Sequence, residues 1–304
     1  MIKFMKILSL FDGISCARVA LERAGIPVEA YYSSEIDKYA IQISRKNYPD
    51  IKQLGDVRTP ELQNFYGVDL LIGGSPCQDL SIAKRNRKGL DGERSGLFWE
   101  YVRILKEVKP KYFILENVNS MPKEAKDSIS KTLGVESIMI NAALVSAQQR
   151  KRLFWTNIPN VTLPEDRNIL LKDILIDGIE TKEKSLCVTA TYSRACPRDY
   201  FSKSSRQLIK VGHFNKGGQG DRVYSINGKS VTLSALGGGR GAKTGLYETT
   251  KGIYRKLHPI EVERLQGLPD GYTEGISNAQ RYKVLGNAFN VDVITHILSF
   301  IPKQ

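Results

Sequence analysis

Short apolar runs alternate with amphipathic helical segments through the first half of the chain. Four of these runs have the length and composition of β-strands: KILSL at 6–10, VEAYYS at 28–33, VDLLI at 68–72 and KYFILE at 111–116. Helical patterns lie between them, at about 15–24, 38–47 and 95–110. This order predicts a doubly wound α/β sheet, whose ligands bind at the carboxyl ends of the strands.

The alternation stops at about residue 159. From there to residue 252 the chain is rich in Gly, Ser, Thr, Lys and Arg and contains only short β-like runs. Disorder is the alternative interpretation, but several tyrosines, among them Tyr192, Tyr200, Tyr224 and Tyr247, supply apolar surface that disordered segments lack. We therefore expect a smaller, loop-rich, β-containing domain at 160–252, inserted into an α/β domain formed by 1–159 plus 253–304.

The net charge of the chain indicates a polyanionic partner. Its 304 residues include 45 Lys and Arg against 32 Asp and Glu, which gives a net charge of +13 and a pI near 9.5. Nucleic acid is the commonest partner of such a basic protein. A basic protein that binds no nucleic acid is the alternative that composition alone leaves open.

The cysteines and histidines form no metal-binding or disulfide pattern. The chain has four cysteines without a CxxC pair and three histidines that do not cluster with them: Cys16, Cys77, Cys187, Cys196, His213, His258 and His296. We therefore expect no metal and no disulfide framework. Because we find neither a signal peptide nor a membrane-spanning stretch, we expect a cytoplasmic protein.

Reactive side chains follow the predicted strands where the chain leaves the sheet. Cys77 lies in the turn GGSPCQDLS, outside the apolar run that precedes it, and Glu116 ends the run KYFILE. A thiolate and a carboxyl group in one crevice suit covalent catalysis, with Cys77 as nucleophile and Glu116 as proton donor to a ring nitrogen. Glu35 suits the hydroxyls of a ribose and Asp56 the amine of an adenine, although either alone is more often a solvated loop carboxylate.

These segments together resemble the DNA (cytosine-5)-methyltransferases that use S-adenosylmethionine. The resemblance covers nearly all of the α/β part through LFDGIS, SSEID, GDVR, GGSPCQDLS, RSGLF, ENV, QQRKR, HPIEVERLQGLPDGY and LGNAF, in the family's order. It implies a Rossmann-like methyltransferase sheet, S-adenosylmethionine as cofactor and double-stranded DNA as substrate. The sequence around Cys77 is most similar to the family's de novo branch, but the chain has no room for accessory domains, which indicates a prokaryotic or phage enzyme.

The resemblance implies a role for each catalytic residue. Cys77 attacks C6 of a cytosine flipped out of the duplex, and Glu116 contacts N3 and the exocyclic amine. Arg152, with Arg150 beside it, binds O2 of the base or holds the loop that carries the thiol. C5 takes the methyl group, and loss of the C5 proton then releases Cys77 by elimination.

The resemblance also implies which residues bind the cofactor and the DNA. The cofactor residues lie at the strand ends and near the C-terminus: Phe11, Asp12, Gly13, Ile14, Glu35, Ile36, Asp56, Val57, Pro76, Leu97, Asn287 and Ala288. The segment after Cys77 is expected to close over DNA and contact phosphates, and 160–252 is expected to recognise the target sequence. The DNA-contacting candidates are Gln78, Ser81, Lys84, Arg85, Arg87, Lys88, Arg194, Arg222 and Arg240.

Two positions depart from the family pattern. The first motif usually has several glycines, whereas here only Gly13 remains and Ser15 and Cys16 take later positions. Phe289 follows GNA where a smaller residue is common.

Other functions stay open on the sequence alone. One is an RNA cytosine-5 methyltransferase, although the Cys-Phe-Thr segment that characterises the tRNA-directed members is absent from this sequence. Another is a catalytically silent nucleic-acid-binding regulator of the same fold. An unrelated Cys-His hydrolase is disfavoured because no histidine lies in a strand-end loop of the first half. The sequence is compatible with a monomer and with either a restriction-linked or an orphan role.

Overall fold

The structure is a computed structural model that describes residues 4–59, 65, 67–76, 96–176, 223–224, 226–230, 246–248, 254–255 and 257–302. The chain divides into two compact units. Unit 1 comprises Met1–Asn141, Lys151–Pro164 and Ala288–Gln304, and unit 2 comprises Ala142–Arg150 and Glu165–Asn287.

Unit 1 is built on a seven-stranded sheet with the strand order β3-β2-β1-β4-β5-β7-β6. Its strands are β1 (Met5–Leu10), β2 (Val28–Ser34), β3 (Lys52–Gln53), β4 (Leu70–Gly74), β5 (Tyr112–Val118), β6 (Ile138–Asn141) and β7 (Lys151–Thr156). Its helices are α1 (Cys16–Arg23), α2 (Lys38–Asn47), α3 (Leu97–Val108), α4 (Lys123–Leu133) and α7 (Val291–Leu298). Strands β3, β2, β1, β4 and β5 pair in parallel, whereas β7 runs antiparallel to both β5 and β6. The predicted α/β sheet is confirmed, with a mixed edge.

The register of the parallel strands brings their carboxyl ends to one edge of the sheet. Leu10, the last residue of β1, pairs with Ser34 of β2 and with Gly73 of β4. Gly74 in turn pairs with Glu116 of β5. The loops that follow these strands therefore start side by side, which is where ligands bind in open α/β sheets.

An apolar cluster between the sheet and α3 holds unit 1 together. Tyr101 and Ile104 of α3 are fully buried, as are Leu71, Leu115 and Trp155 on three neighbouring strands. A large aliphatic or aromatic side chain buried in this way contributes about 1.5–3 kcal/mol. The helical spacing that predicted α3 is the spacing of this buried face.

Helix boundaries follow local capping chemistry. The Asp37 side chain accepts hydrogen bonds from the N–H groups of Tyr39 (2.9 Å) and Ala40 (3.3 Å), so α2 begins at Lys38, as predicted. The Asn290 side chain likewise accepts from Val293 N (3.1 Å) and starts α7. Among the described residues, no helix is long and apolar enough to cross a membrane.

Unit 2 combines short strands with two helices. Strands β8 (Val223–Tyr224), β9 (Leu246–Glu248) and β10 (Tyr254–Arg255) form a three-stranded sheet in the order β10-β9-β8. Helices α5 (Pro259–Leu265) and α6 (Asn278–Asn287) follow. Strands β8 and β9 lie within 160–252, in agreement with the β-containing character predicted there, whereas β10 follows that region.

The compact units follow a different division from the predicted domains. The sequence analysis grouped 253–304 with the α/β domain, but residues 253–287 lie in unit 2 and only Ala288–Gln304 lie in unit 1. Helices α5 and α6 belong to unit 2 because their buried polar side chains bond within it. The catalytic role expected for 1–159 plus 253–304 stays a prediction, as does the recognition role expected for 160–252.

A buried ion pair organises the α5–α6 segment of unit 2. The Glu263 carboxylate is fully buried and accepts hydrogen bonds from Gly271 N (2.7 Å), Thr273 N (2.8 Å) and the Thr273 hydroxyl. The Arg281 guanidinium donates to it at 2.9 Å. One carboxylate thus accepts hydrogen bonds from the backbone N–H groups of the turn after α5 and holds α6 against that turn through Arg281.

Removing this carboxylate should destabilise the protein strongly. Glu263→Ala leaves Arg281 buried and unpaired, and we expect a loss of about 3–5 kcal/mol in the free energy of unfolding. The control is Asp270→Ala, which breaks the exposed Arg264–Asp270 pair (2.6 Å) and should cost at most about 1 kcal/mol. Urea denaturation of both variants checks this, and equal losses would contradict it.

Candidate active site

The loop between β1 and α1 holds a backbone conformation that side chains disfavour. Phe11, Gly13 and Ser15 have φ angles of 55°, 62° and 61°. A left-handed conformation costs a residue other than glycine roughly 1–2 kcal/mol, so Phe11 and Ser15 must be held in place by their surroundings. The glycine that the family commonly has is replaced at position 15 by a serine in a glycine-like conformation.

A buried hydroxyl network around Asp12 supplies that support. The Asp12 carboxylate accepts hydrogen bonds from the hydroxyls of Ser9 (2.5 Å), Ser15 (2.6 Å) and Tyr31 (2.6 Å). The Ser15 hydroxyl also lies 2.7 Å from that of Ser44 on α2. Because Asp12 is only 4% exposed, its predicted part in cofactor binding is that of a support for the loop. Burial raises the pKa of this carboxyl group above its ordinary value.

Glu35, directly after β2, reaches the same loop. Its Oε2 accepts from Gly13 N (2.8 Å), and its Oε1 accepts from Ile36 N and Asp37 N (2.8 Å each). Burial raises the pKa of Glu35, and the hydrogen bonds from the backbone oppose that shift. A carboxylate accepts about four hydrogen bonds, so Glu35 retains the capacity to bind a ligand hydroxyl group.

Asp56, after β3, is paired with a neighbour that the sequence analysis did not assign. Arg58 donates to the Asp56 carboxylate from Nη2 at 2.6 Å, from Nε at 3.0 Å and from its backbone N–H at 2.9 Å. Arg58 also lowers the pKa of Asp56. An adenine amine at this position would share the carboxylate with Arg58. The adjacent Val57 is 7% exposed and lies in the apolar core cluster.

The remaining predicted cofactor residues differ in accessibility. Ile36 is 69% exposed, which is unusual for isoleucine and suits an apolar contact with a ligand. Ile14, in contrast, is fully buried. Pro76 after β4 and Leu97 at the start of α3 are half-buried. Asn287, exposed, ends unit 2 at α6, and Ala288, buried, begins the last segment of unit 1.

Glu116 and Arg152 meet on neighbouring strands. Arg152 Nε lies 2.8 Å from Glu116 Oε1, and the two side chains are 16% and 13% exposed. Glu116 is the register partner of Gly74, three residues before Cys77. The structure thus brings two of the four predicted catalytic residues into contact, as an ion pair between a partly buried carboxyl group and a guanidinium group.

Arg150 has a different position from its neighbour in sequence. It belongs to unit 2, is 4% exposed, and donates to the carbonyl oxygen of Gly286 from both terminal nitrogens, at 3.3 and 3.4 Å. Arg150 therefore fixes the end of α6, and its assignment as a catalytic residue stays a prediction.

Asn117 is a site residue that the sequence analysis did not assign. Its Nδ2 donates to Ser75 Oγ (3.0 Å) and to the Ser75 carbonyl oxygen (3.3 Å). Its Oδ1 accepts from Val118 N (2.8 Å). Asn117 thereby ties the segment after β4 to β5. Its sequence signal was a second polar side chain, directly after Glu116, near the end of an otherwise apolar strand.

Several predicted residues lie outside the described residues, namely Cys77, Gln78, Ser81, Lys84, Arg85, Arg87, Lys88, Arg194, Arg222 and Arg240. Their assigned roles stay predictions. Within the part of the chain that the structure describes, no three His, Cys, Asp or Glu side chains are grouped to hold a metal ion.

Two substitutions at Ser15 separate backbone strain from hydrogen bonding. Ser15→Gly and Ser15→Ala both lose the hydroxyl, but only alanine keeps a Cβ atom in the left-handed conformation. We therefore expect Ser15→Ala to be less stable than Ser15→Gly by about 1 kcal/mol in urea denaturation. An alanine variant as stable as the glycine variant would contradict the strained loop.

The raised pKa of Asp12 predicts a pH dependence of stability. The raised pKa means that the folded state binds the Asp12 proton more tightly than the unfolded state does. The resulting contribution to the free energy of unfolding is fully present below an ordinary carboxyl pKa of about 4 and is lost as the pH rises through the raised value. Calorimetry should therefore show the Tm of the wild type falling relative to Asp12→Asn as the pH rises above about 4.

Asp270→Asn is the control of opposite sign, because Arg264 lowers the pKa of Asp270. Its contribution is present above the ordinary pKa and is lost as the pH falls. If the difference between wild type and Asp12→Asn stayed constant over this range, Asp12 would not titrate as expected.

The sequence matches the family model for C-5 cytosine-specific DNA methylases over residues 5–303. The Type II methyltransferase M.HhaI of Haemophilus parahaemolyticus is 32% identical over 316 residues, covering 96% of this chain and 93% of that protein. The orphan methyltransferase M.Rho11sI of Bacillus phage rho11s is 27% identical over 305 residues, covering 80% of this chain and 60% of the phage protein.

A solved structure confirms the fold prediction. The Entamoeba histolytica methyltransferase EhMeth matches with a TM-score of 0.71 at 18% identity, over 98% of each chain. The family match extends over nearly the whole chain, and M.HhaI is similar over almost its full length. The chain therefore belongs to the C-5 cytosine-specific DNA methylase family, a family of methyltransferase enzymes.

Proposed function

We propose that this protein transfers a methyl group from S-adenosylmethionine to C5 of a cytosine in double-stranded DNA. The observation that carries the proposal is the Glu116–Arg152 contact of 2.8 Å, beside the strand that leads to Cys77. A proton donor held next to a nucleophile-bearing loop suits addition to a cytosine ring. The net charge of +13 supports a nucleic-acid substrate.

The residues around the β1–α1 loop fit S-adenosylmethionine by their chemistry. Glu35 has acceptor capacity for ribose hydroxyls, and the exposed Ile36 offers an apolar surface for an adenine ring. Phe11 and Gly13 would line the same cleft. The cofactor would supply an electrophilic methyl group. Asp12 and Ser15 would keep the loop in place from behind.

The chain's own residues would carry out the addition and elimination. The Cys77 thiolate would form a bond to C6 while Glu116 donates a proton to N3, so that electron density collects at C5. C5 would then bond the methyl carbon while the bond of that carbon to the cofactor's sulfonium sulfur breaks, so that a neutral thioether would leave. A base such as a water molecule would take the C5 proton, which re-forms the C5–C6 double bond and expels the Cys77 thiolate, and N3 would return its proton to Glu116. Arg152 would hold Glu116 in place during both steps.

Access to C5 and C6 requires the cytosine to leave the duplex. Flipping costs a few kcal/mol in lost stacking and pairing, which contacts with the base and the phosphates must offset. The basic segment after Cys77 and the region 160–252 are the proposed sources of those contacts. Binding by phosphate contacts should weaken as salt rises, because each one releases counterions.

Methylation mapping tests the proposal directly. Unmodified DNA would be incubated with S-adenosylmethionine and wild-type protein, Cys77→Ala or Cys16→Ala, and methylcytosine read at single-base resolution. We expect methylcytosine in one sequence context with the wild type and with Cys16→Ala, since Cys16 is a buried thiol on α1. We expect none with Cys77→Ala, because no nucleophile remains to attack C6.

Parallel incubations with tRNA distinguish the substrate. Methylcytosine in tRNA but not in DNA would replace the proposed substrate by RNA. Cofactor binding without methyl transfer to either would favour a silent nucleic-acid-binding regulator. Appreciable turnover by Cys77→Ala would remove Cys77 from the mechanism.

A further inference from the structure

Phe289 lies against the end of β4 in unit 1. A Cβ atom added to Gly74 would lie 2.8 Å from Cε1 of Phe289 and 3.2 Å from its Cζ. Such a separation is closer than real Cβ atoms approach, so the ring occupies the space that any side chain at position 74 would need. Phe289 itself is 8% exposed.

Glu116 reaches the same point from β5. The same added Cβ atom would lie 3.2 Å from Glu116 Oε2. The space above Gly74 is therefore bordered by the edge of the Phe289 ring and by one oxygen of the Glu116 carboxylate. The other oxygen, Oε1, forms an ion pair with Arg152 Nε at 2.8 Å. The carboxylate is thus paired with a cation at one oxygen, and its other oxygen lies over Gly74, where the Phe289 ring also packs.

The backbone around Phe289 is fixed by the start of α7. Phe289 directly precedes Asn290, whose side chain caps the helix by accepting from Val293 N at 3.1 Å. A residue in this position before a helix N-cap commonly packs against a neighbouring apolar surface. The ring therefore rests on a rigid segment, as a wall for a reactive group requires.

We propose that Phe289 is a positioning residue that keeps the Glu116 carboxyl group in its reactive orientation. Glutamate has three side-chain torsions, and the Phe289 ring fills the space beside Gly74 into which Oε2 would otherwise move. The ring edge carries partial positive charge and tolerates a neighbouring carboxylate. This inference rests on the proposed function, because it assigns Phe289 a role through the acid Glu116. It also gives a purpose to the one large residue that departs from the family pattern after LGNA.

A double-mutant cycle tests this role against simple packing. Single-turnover methyl transfer to DNA would be measured for wild type, Phe289→Ala, Glu116→Gln and the double variant. Misplacing a catalytic group costs on the order of 10- to 100-fold in rate, and we expect Phe289→Ala to lose that much with cofactor affinity within about twofold of wild type. In the Glu116→Gln background the same change should cost less than about twofold, because the group that it positions is already disabled.

Two further variants keep the outcome interpretable. Phe289→Leu, which retains bulk beside Gly74, should recover most of the rate. Leu298→Ala removes a side chain of α7 that is 1% exposed, and it should reduce stability without a coupling to Glu116. If Phe289→Ala failed to fold, Phe289→Val, which retains less bulk than leucine, would replace it in the cycle with Glu116→Gln.

Two results would overturn the inference alone. They are a Phe289→Ala variant that transfers methyl groups at the wild-type rate, and a rate loss of equal size in both backgrounds. A wild-type protein that binds cofactor but methylates no cytosine would overturn the proposed function, and the inference with it.

Discussion

The structure depends most on the close approach of four segments at the end of β4. A Cβ atom on Gly73 would lie 2.9 Å from the Leu10 carbonyl oxygen and 3.2 Å from the Tyr101 ring, so β1 and α3 close on that face. On the other face Phe289 and Glu116 close on Gly74. Two successive glycines therefore allow the sheet to be covered on both faces at the point where the chain turns toward Cys77. Side chains at either position would separate the elements whose ends form the site.

The β1–α1 loop illustrates a second way to build a tight turn. Glycine adopts positive φ without a steric cost, whereas Ser15 at φ 61° needs compensation. Its hydroxyl supplies this through Asp12 at 2.6 Å and Ser44 at 2.7 Å, which join the loop to α2. The buried carboxylate costs desolvation, which its hydroxyl donors offset in part, so the pKa of Asp12 stays raised. A polar network behind the proposed cofactor cleft thus compensates for the strained backbone of the loop.

Periodicity and strand ends predicted most of unit 1 but could not predict its contacts. The helix at 38–47 and the sheet were correct because apolar spacing and the Asp37 cap are local signals. The Glu116–Arg152 contact depends on β7 running antiparallel beside β5, a pairing that spacing along the chain does not reveal. Asn117 was missed for the same reason, since its partner Ser75 follows another strand. Arg58 was missed although its partner Asp56 is only two residues away, because an exposed local pair gives no periodic signal. Phe289 was noted only as a departure from the family pattern, because its position beside Gly74 depends on the fold. The packing of α6 against the turn after α5 depends on the buried Glu263–Arg281 pair, which sequence alone would not predict, since charged residues are usually exposed.

Glu35 connects the loop conformation to the binding of a ligand. Its Oε2 accepts from Gly13 N at 2.8 Å, and the same carboxylate is the proposed acceptor for ribose hydroxyls. A ligand that draws on this carboxylate therefore acts on the group that holds Gly13, next to the strained Phe11. Asp12 fixes the loop from its buried side and so maintains the backbone conformation. Glu35 contacts the loop from the side of the proposed ligand, where its carboxylate can also accept hydrogen bonds from that ligand. A rigid loop of this kind loses little conformational entropy on binding, because its order is already provided by the fold.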